Sequence, residues 1–178
     1  MFHHILVALD DSDFSEQVFH NALDLAKAMR SRLLLLHVLN PVDRDYPHAP
    51  IYPAVEAYYS ALYNEALQRW QEELADYEKR RLAILRSLTS EAEAVGVATE
   101  FTQNIGEPGR IICAIARTWG ADLIILGRRG RSGVSELVLG SVSNYVMHHA
   151  PCSVLIAQHP ATATANALQN REMATTES

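Results

Sequence analysis

The chain opens with an unbroken apolar run, Ile5 to Leu9, that stops at Asp10-Asp11-Ser12-Asp13. A continuous rather than alternating run predicts a strand buried on both faces, as in the middle of a parallel sheet. After it, Val18, Ala22, Leu25, Ala26 and Met29 recur at helical spacing to about Arg30, and Asp13 with Glu16 has the form of a capping box. Leu33 to Leu39 predicts a second buried strand, closed by Asn40-Pro41. Residues 41–53 hold four prolines and no period, and read as a mobile loop. From Ala54 to Val95 there is neither Gly nor Pro, and apolar residues from Val55 through Tyr63, Trp70 and Tyr77 to Ala92 keep a helical period. One straight helix of that length would reach ~60 Å. It therefore either breaks or carries its N-terminal half past the body. The aromatic stripe on it reads first as core and second as a partner surface.

The second half is punctuated by glycine. Gly96 is placed to cap the long helix, and Val97 to Gln103 alternates like a strand near a sheet edge. Gly106-Glu107-Pro108 opens a helix with proline in its first turn, with Ile111, Ile112, Ile115 and Ala116 as its buried face and Gly120 as its stop. Leu123 to Leu126, Val142 to His149 and Ser153 to Ala157 read as strand, short helix and strand. Residues 159–178 show no core pattern and are expected to form a disordered tail. Strands alternating with helices predict an α/β fold, an open five-stranded parallel sheet with helices on both faces. In such sheets ligands lie beyond the strand C-termini, where the strand order reverses. With the order 3-2-1-4-5, Asp10 at the end of strand one and Gly127 at the end of strand four meet at that point.

Composition narrows the function classes. The 178 residues, 48% hydrophobic and 20% charged, suit one domain with a substantial core. A net charge of −6 argues against nucleic acid and anionic membrane as partners, since both select a basic surface. No apolar run approaches the ~20 residues of a membrane span. The start, MFHHILVALDD, lacks Lys and Arg and does not read as a signal peptide, so the expected location is cytoplasmic. Cys113 and Cys152 have no metal or disulfide spacing and are expected to be buried thiols.

The chemistry concentrates in LIILGRRGRSGVSELVLGSVSNYVMHHAPCSVLIA. Gly127 leaves a strand, Gly130 follows in the turn, and Gly140-Ser141 opens a helix. Glycines allow close backbone approach, and a helix N-terminus offers free N–H groups and partial positive charge. The combination suits a polyphosphate. There is no G-x4-G-K-[ST] loop, and no triad or paired carboxylates can be assigned. Asp10 reads either as a helix cap or as a ligand-binding carboxylate. Ser141 reads as an N-cap, a phosphate donor, or both. Arg128, Arg129 and Arg131 read as a solvated turn or as phosphate contacts. His3-His4 and His148-His149 point to different faces and do not make a shared metal site, and His37 reads as packed.

The spacing Gly127-x2-Gly130-x9-Gly140-Ser141 resembles the signature of the ATP-binding subgroup of the universal stress protein family. ILVALDDSDFSE is similar to that family's first strand and its acidic residue, LLLLHVLNP to its second strand, and APCSVLIA to its last. The resemblance covers residues 1–158, as one nucleotide-binding domain, except for a long segment about 41–80 that exceeds what the family needs. It implies a Rossmann-like, adenine nucleotide alpha hydrolase-like sheet of order 3-2-1-4-5. It implies that Ala8, Leu9 and Asp10 line the adenosine and that Val38 offers backbone contacts to adenine. It implies that Leu126, Gly127, Arg129 and Gly130 wrap the ribose and first phosphates. Gly140, Ser141, Val142 and Ser143 would then hold the phosphate tail, with Mg2+ or Mn2+ on the phosphates. The resemblance further implies a homodimer through strand 153–157. The reading that leads is an ATP-binding regulatory sensor of stress. Behind it stand a slow ATPase or nucleotidyl-transfer enzyme on the same sheet, and an interaction module that uses the aromatic helix.

Overall fold

The computed structural model describes residues 1–43, 45–50, 60–128 and 139–158. Five strands and four helices alternate: β1 (His4–Leu9), α1 (Phe14–Met29), β2 (Arg32–Leu39), α2 (Ser60–Ala94), β3 (Thr99–Ile105), α3 (Pro108–Trp119), β4 (Leu123–Gly127), α4 (Ser141–His149) and β5 (Ser153–Ala157). All pairings are parallel and the order is β3-β2-β1-β4-β5, as the sequence predicts. The switch point therefore lies between β1 and β4, where Ala8 pairs with Leu126.

Alternate residues of the inner strands feed two cores. Ile5, Val7, Leu33, Leu35 and Ile125 pack under α1 and α2, against Phe19, Ala22 and Leu85. Leu6, Leu34, Leu36, Ile124 and Leu126 pack under α3 and α4, against Ile112, Cys113 and Val146. Ile5, Leu6 and Val7 are completely buried, which is why β1 is apolar without interruption from Ile5 to Leu9. Each such side chain contributes about 1.5–3 kcal/mol relative to exposure. Cys113 is buried and Cys152 half-buried, and burial pushes both thiols up.

Caps follow the expected chemistry at one end of the chain more than the other. Glu107 caps α3, accepting from the Gly109 and Arg110 N–H groups at 3.1 and 2.9 Å, with Pro108 in the first turn. Gly120 ends that helix at φ 73°, in the left-handed region that glycine enters without steric cost. The Asp13–Glu16 capping box does not form. Asp13 is already helical, at φ −59° and ψ −18°, and makes no side-chain cap bond. An N-cap needs extended backbone to aim its oxygen at the first turn, and Asp13 lacks it.

The long helix does not break. At 35 residues α2 spans about 52 Å at 1.5 Å per residue. Its buried residues are Tyr77, Leu85, Thr89 and Ala92, all in the C-terminal part. Toward the N-terminus, Leu62 and Tyr63 are 58% and 40% exposed and Trp70 is half-buried. The aromatic stripe is thus core only from Tyr77 onward, because the sheet is too short to cover the rest. Tyr58, Tyr59 and residues 159–178 lie outside the described residues.

Candidate functional site

A cavity of about 570 Å³ opens at the C-terminal ends of β1, β2 and β4. That size suits a small organic ligand. Ala8, Leu9 and Asp10 line it from β1, Val38 from β2, and Leu126 and Gly127 from β4. Gly140, Ser141, Val142 and Ser143 line it from the start of α4. Ten residues singled out from sequence thus share one wall. Arg129 and Gly130 lie outside the described residues.

Asp10 settles its own loop and still keeps an acceptor. Its Oδ1 accepts from the Ser12 N–H at 3.1 Å and from Ser12 Oγ at 2.6 Å, and lies 2.7 Å from Ser15 Oγ. Ser15 Oγ in turn accepts from the Asp10 N–H at 2.9 Å. This is an Asx-type turn, the local competitor of secondary structure that Asp and Ser favour. Asp10 Oδ2 accepts no hydrogen bond among the described residues, while Oδ1 is fixed by the turn. Asp10 does not cap α1 itself: its Oδ1 bonds the Ser12 N–H and the Ser12 and Ser15 hydroxyls, and so organises the turn that precedes the helix.

The start of α4 faces the same space. Its first intrahelical bond runs from the Asn144 N–H to the Gly140 carbonyl at 2.9 Å, so the N–H groups of Ser141, Val142 and Ser143 have no intrahelical partner. With the helix dipole they form an anion-attracting end. Ser141 is exposed. Ser143 is 2% exposed, and its hydroxyl donates to backbone, reaching the Arg128 carbonyl at 2.9 Å and the Gly127 carbonyl at 3.2 Å. Its side chain therefore braces α4 against the end of β4 rather than reaching for a phosphate. Its N–H remains among those without an intrahelical partner.

Gly140 sits at φ −62° and ψ 156°, extended backbone open to any residue. A Cβ at Gly127 would meet Phe14 Cδ1 at 3.4 Å and Val18 Cγ2 at 3.5 Å, ordinary contacts on the α1 side. Neither glycine is demanded by backbone conformation. Gly140 lines the cavity at the N-cap of α4.

The feature that sequence reasoning missed is a buried polar cluster beside the cavity. Asp11 and His37 both line the cavity, and His37 Nε2 lies 3.0 Å from Asp11 Oδ1. Tyr77 of α2 donates to Asp11 Oδ2 at 2.9 Å, and Arg81 Nε lies 2.8 Å from Asp11 Oδ1. Burial pushes the Asp11 carboxyl up, but the hydrogen bond and charge of His37, with Tyr77 and Arg81, outweigh it and hold the group below its ordinary value. Burial and the Asp11 carboxylate push the Tyr77 phenol up, which keeps it a donor. Among the described residues no group of three or more His, Cys, Asp and Glu could hold a metal ion. A divalent cation there would need ligand phosphates.

Comparison with known proteins places this geometry. The universal stress protein family model matches residues 1–158. A curated universal stress protein from Synechocystis, Sll1388, is 40% identical over 87% of this chain and 97% of its own length. Among solved structures, that of hypothetical protein MJ0577 aligns with a TM-score of 0.66 at 23% identity, over 91% of this chain and 99% of that one. A universal stress protein family protein from Arabidopsis thaliana, solved with AMP bound, aligns at 0.56 and 18% identity, over 91% of this chain and 95% of that one. With a sheet of the same order and a family match that runs through every described element, the chain belongs to the universal stress protein family.

Proposed function

We propose that this protein binds ATP, with Mg2+ or Mn2+ on the phosphates, and acts as a regulatory nucleotide sensor in the stress response. One observation carries the reading: a single cavity joins the Asp10 Oδ2 acceptor to the N–H groups that open α4. The first suits a ribose hydroxyl and the second a phosphate chain. Backbone at Val38, on the same rim, would read the adenine edge. The AMP-bound relative supports an adenine nucleotide as the class. The triphosphate and the cation rest on the glycine spacing. The sequence offers no phosphate-loop lysine motif and no assignable triad, so turnover is expected to be slow.

Calorimetry of the folded protein with ATP, AMP and GTP, each with magnesium, tests this. Binding of ATP tighter than GTP is the expected result. Equal affinity, or no binding, rejects the adenine reading. The same reading includes a homodimer through β5, supported by the uncharged edge Ser153–Ala157 with Leu155 40% exposed. The interaction-module alternative has one observation in its favour, the exposed Leu62 and Tyr63 on the projecting part of α2. It takes first place if no nucleotide binds.

A further inference from the structure

The cavity rim and the long helix are joined from behind. Asp10 and Asp11 both line the cavity, and Asp11 also binds α2. Tyr77 and Arg81 stand one helical turn apart, with the Arg81 guanidinium 5.2 Å from the Tyr77 ring centre, and both converge on the Asp11 carboxylate. The carboxylate side chain is 9% exposed and that of His37 8%.

A second rim segment meets the same helix residue. Asn40 and Asp43 line the cavity in a turn closed by the Asp43 N–H to the Asn40 carbonyl at 3.0 Å. Three residues on, Tyr46 sets its ring edge-on to Tyr77 at 5.9 Å. Above Tyr77 the helix has no buried residue among those described, and Trp70 Nε1 donates to the Pro47 carbonyl at 3.0 Å, again in the rim segment. At Tyr77 and Arg81 the helix is thus tied to the 10–12 loop and to Tyr46, and before Tyr77 it is tied to the second rim segment through Trp70 and Pro47.

We propose that α2 and the nucleotide cavity form one thermodynamic unit joined at the Asp11 carboxylate, with Tyr77 and Arg81 as positioning residues for the ligand loop. Neither touches the ligand. A ligand that holds the loop 10–12 and the turn 40–43 favours the docked helix, and release of the helix loosens both. The coupling is reciprocal: the factor by which docking tightens binding equals the factor by which binding tightens docking. The part of α2 before Tyr77, with little buried surface, is the element that can open locally. Because the proposal rests on the nucleotide reading, its test must separate the two.

The test measures ATP and AMP affinity by calorimetry in the wild type and in Tyr77→Phe, Arg81→Gln and Arg81→Lys, with hydrogen exchange across residues 62–85. Tyr77→Phe keeps the ring against Tyr46 and removes only the hydroxyl. Arg81 is partly exposed, so its variants should fold, which a thermal melt checks. The expected result is a fivefold or greater loss of affinity in Tyr77→Phe and Arg81→Gln, with part of it restored in Arg81→Lys. ATP should slow exchange in 70–81 of the wild type and less in the two weakened variants. Folded variants that bind like the wild type overturn the coupling alone. So does ATP protection confined to 8–12 and 140–143. A wild type that binds neither nucleotide rejects the nucleotide reading, and the coupling falls with it.

Discussion

Ser143 Oγ donates to the Arg128 carbonyl at 2.9 Å, and this bond fixes the start of α4 over the end of β4. The two residues are 15 apart in sequence, and the segment between them carries the signature glycine Gly130. The Arg128 carbonyl also accepts from the Gly140 N–H at 3.0 Å. Ser143→Ala should therefore cost only about 1 kcal/mol, the low end for losing a partner of a buried acceptor, because the carbonyl keeps a donor. Denaturant unfolding measures it. ATP affinity should fall by no more than about tenfold, since 1.4 kcal/mol is a factor of ten.

Gly140→Val should abolish ATP and AMP binding and leave far-UV dichroism unchanged. The backbone at φ −62° and ψ 156° accepts valine, so the cost falls on the cavity and not on the fold. Calorimetry and dichroism on the same sample check both halves. Retained binding would remove Gly140 from the site.

Turnover of ATP with magnesium should lie below the ordinary enzyme range of ~1–1000 per second. The N–H groups that open α4 would stabilise phosphate charge, and an N–H donor takes no proton from water. Phosphate release by protein freed of contaminating ATPases decides it, and a rate inside that range moves the enzyme reading to first place.

The edge strand β5 should hold a homodimer. Val154 and Ile156 pack inward on the α3–α4 side, while Leu155 is 40% exposed. An uncharged, proline-free edge normally finds a partner, and pairing the same strand of two copies makes a two-fold interface. Leu155→Lys should lower the light-scattering mass from dimer to monomer. A dimer indifferent to the lysine places the interface elsewhere.

Asp11 predicts an acid dependence. Its carboxyl is held below its ordinary value of 3.8 in the fold, so its stabilisation is present above that value and fades as pH falls through the lower folded value. Asp11→Asn lacks the contribution at every pH. The melting-temperature gap between wild type and Asp11→Asn should be widest near neutral pH and narrow below about pH 4. A gap independent of pH would mean the charge contributes nothing.

What the sequence alone determined was whatever has a local signature. Apolar runs marked β1, β2 and β4 because strands buried on both faces have few polar positions, His37 inside the β2 run being the exception that pairs with Asp11. Gly96 and Gly120 marked helix ends because few other residues adopt positive φ cheaply, as their φ of 82° and 73° show. The glycine spacing pointed to the end of β4 and the start of α4, and Gly127, Gly140 and Ser141 line one cavity. The tertiary structure alone decided the rest. Asp13 stood in the capping pattern, yet Asp10, held by Ser12 and Ser15, organises the turn. Tyr77 looked like one more member of an aromatic stripe. Its hydroxyl bond to Asp11 crosses 66 residues of chain, and no period or motif encodes a contact between a loop and a helix that meet only when the sheet forms. For the same reason the stripe divides at Tyr77: the helical period says which face is apolar, while the length of the sheet beneath sets how much of that face is covered.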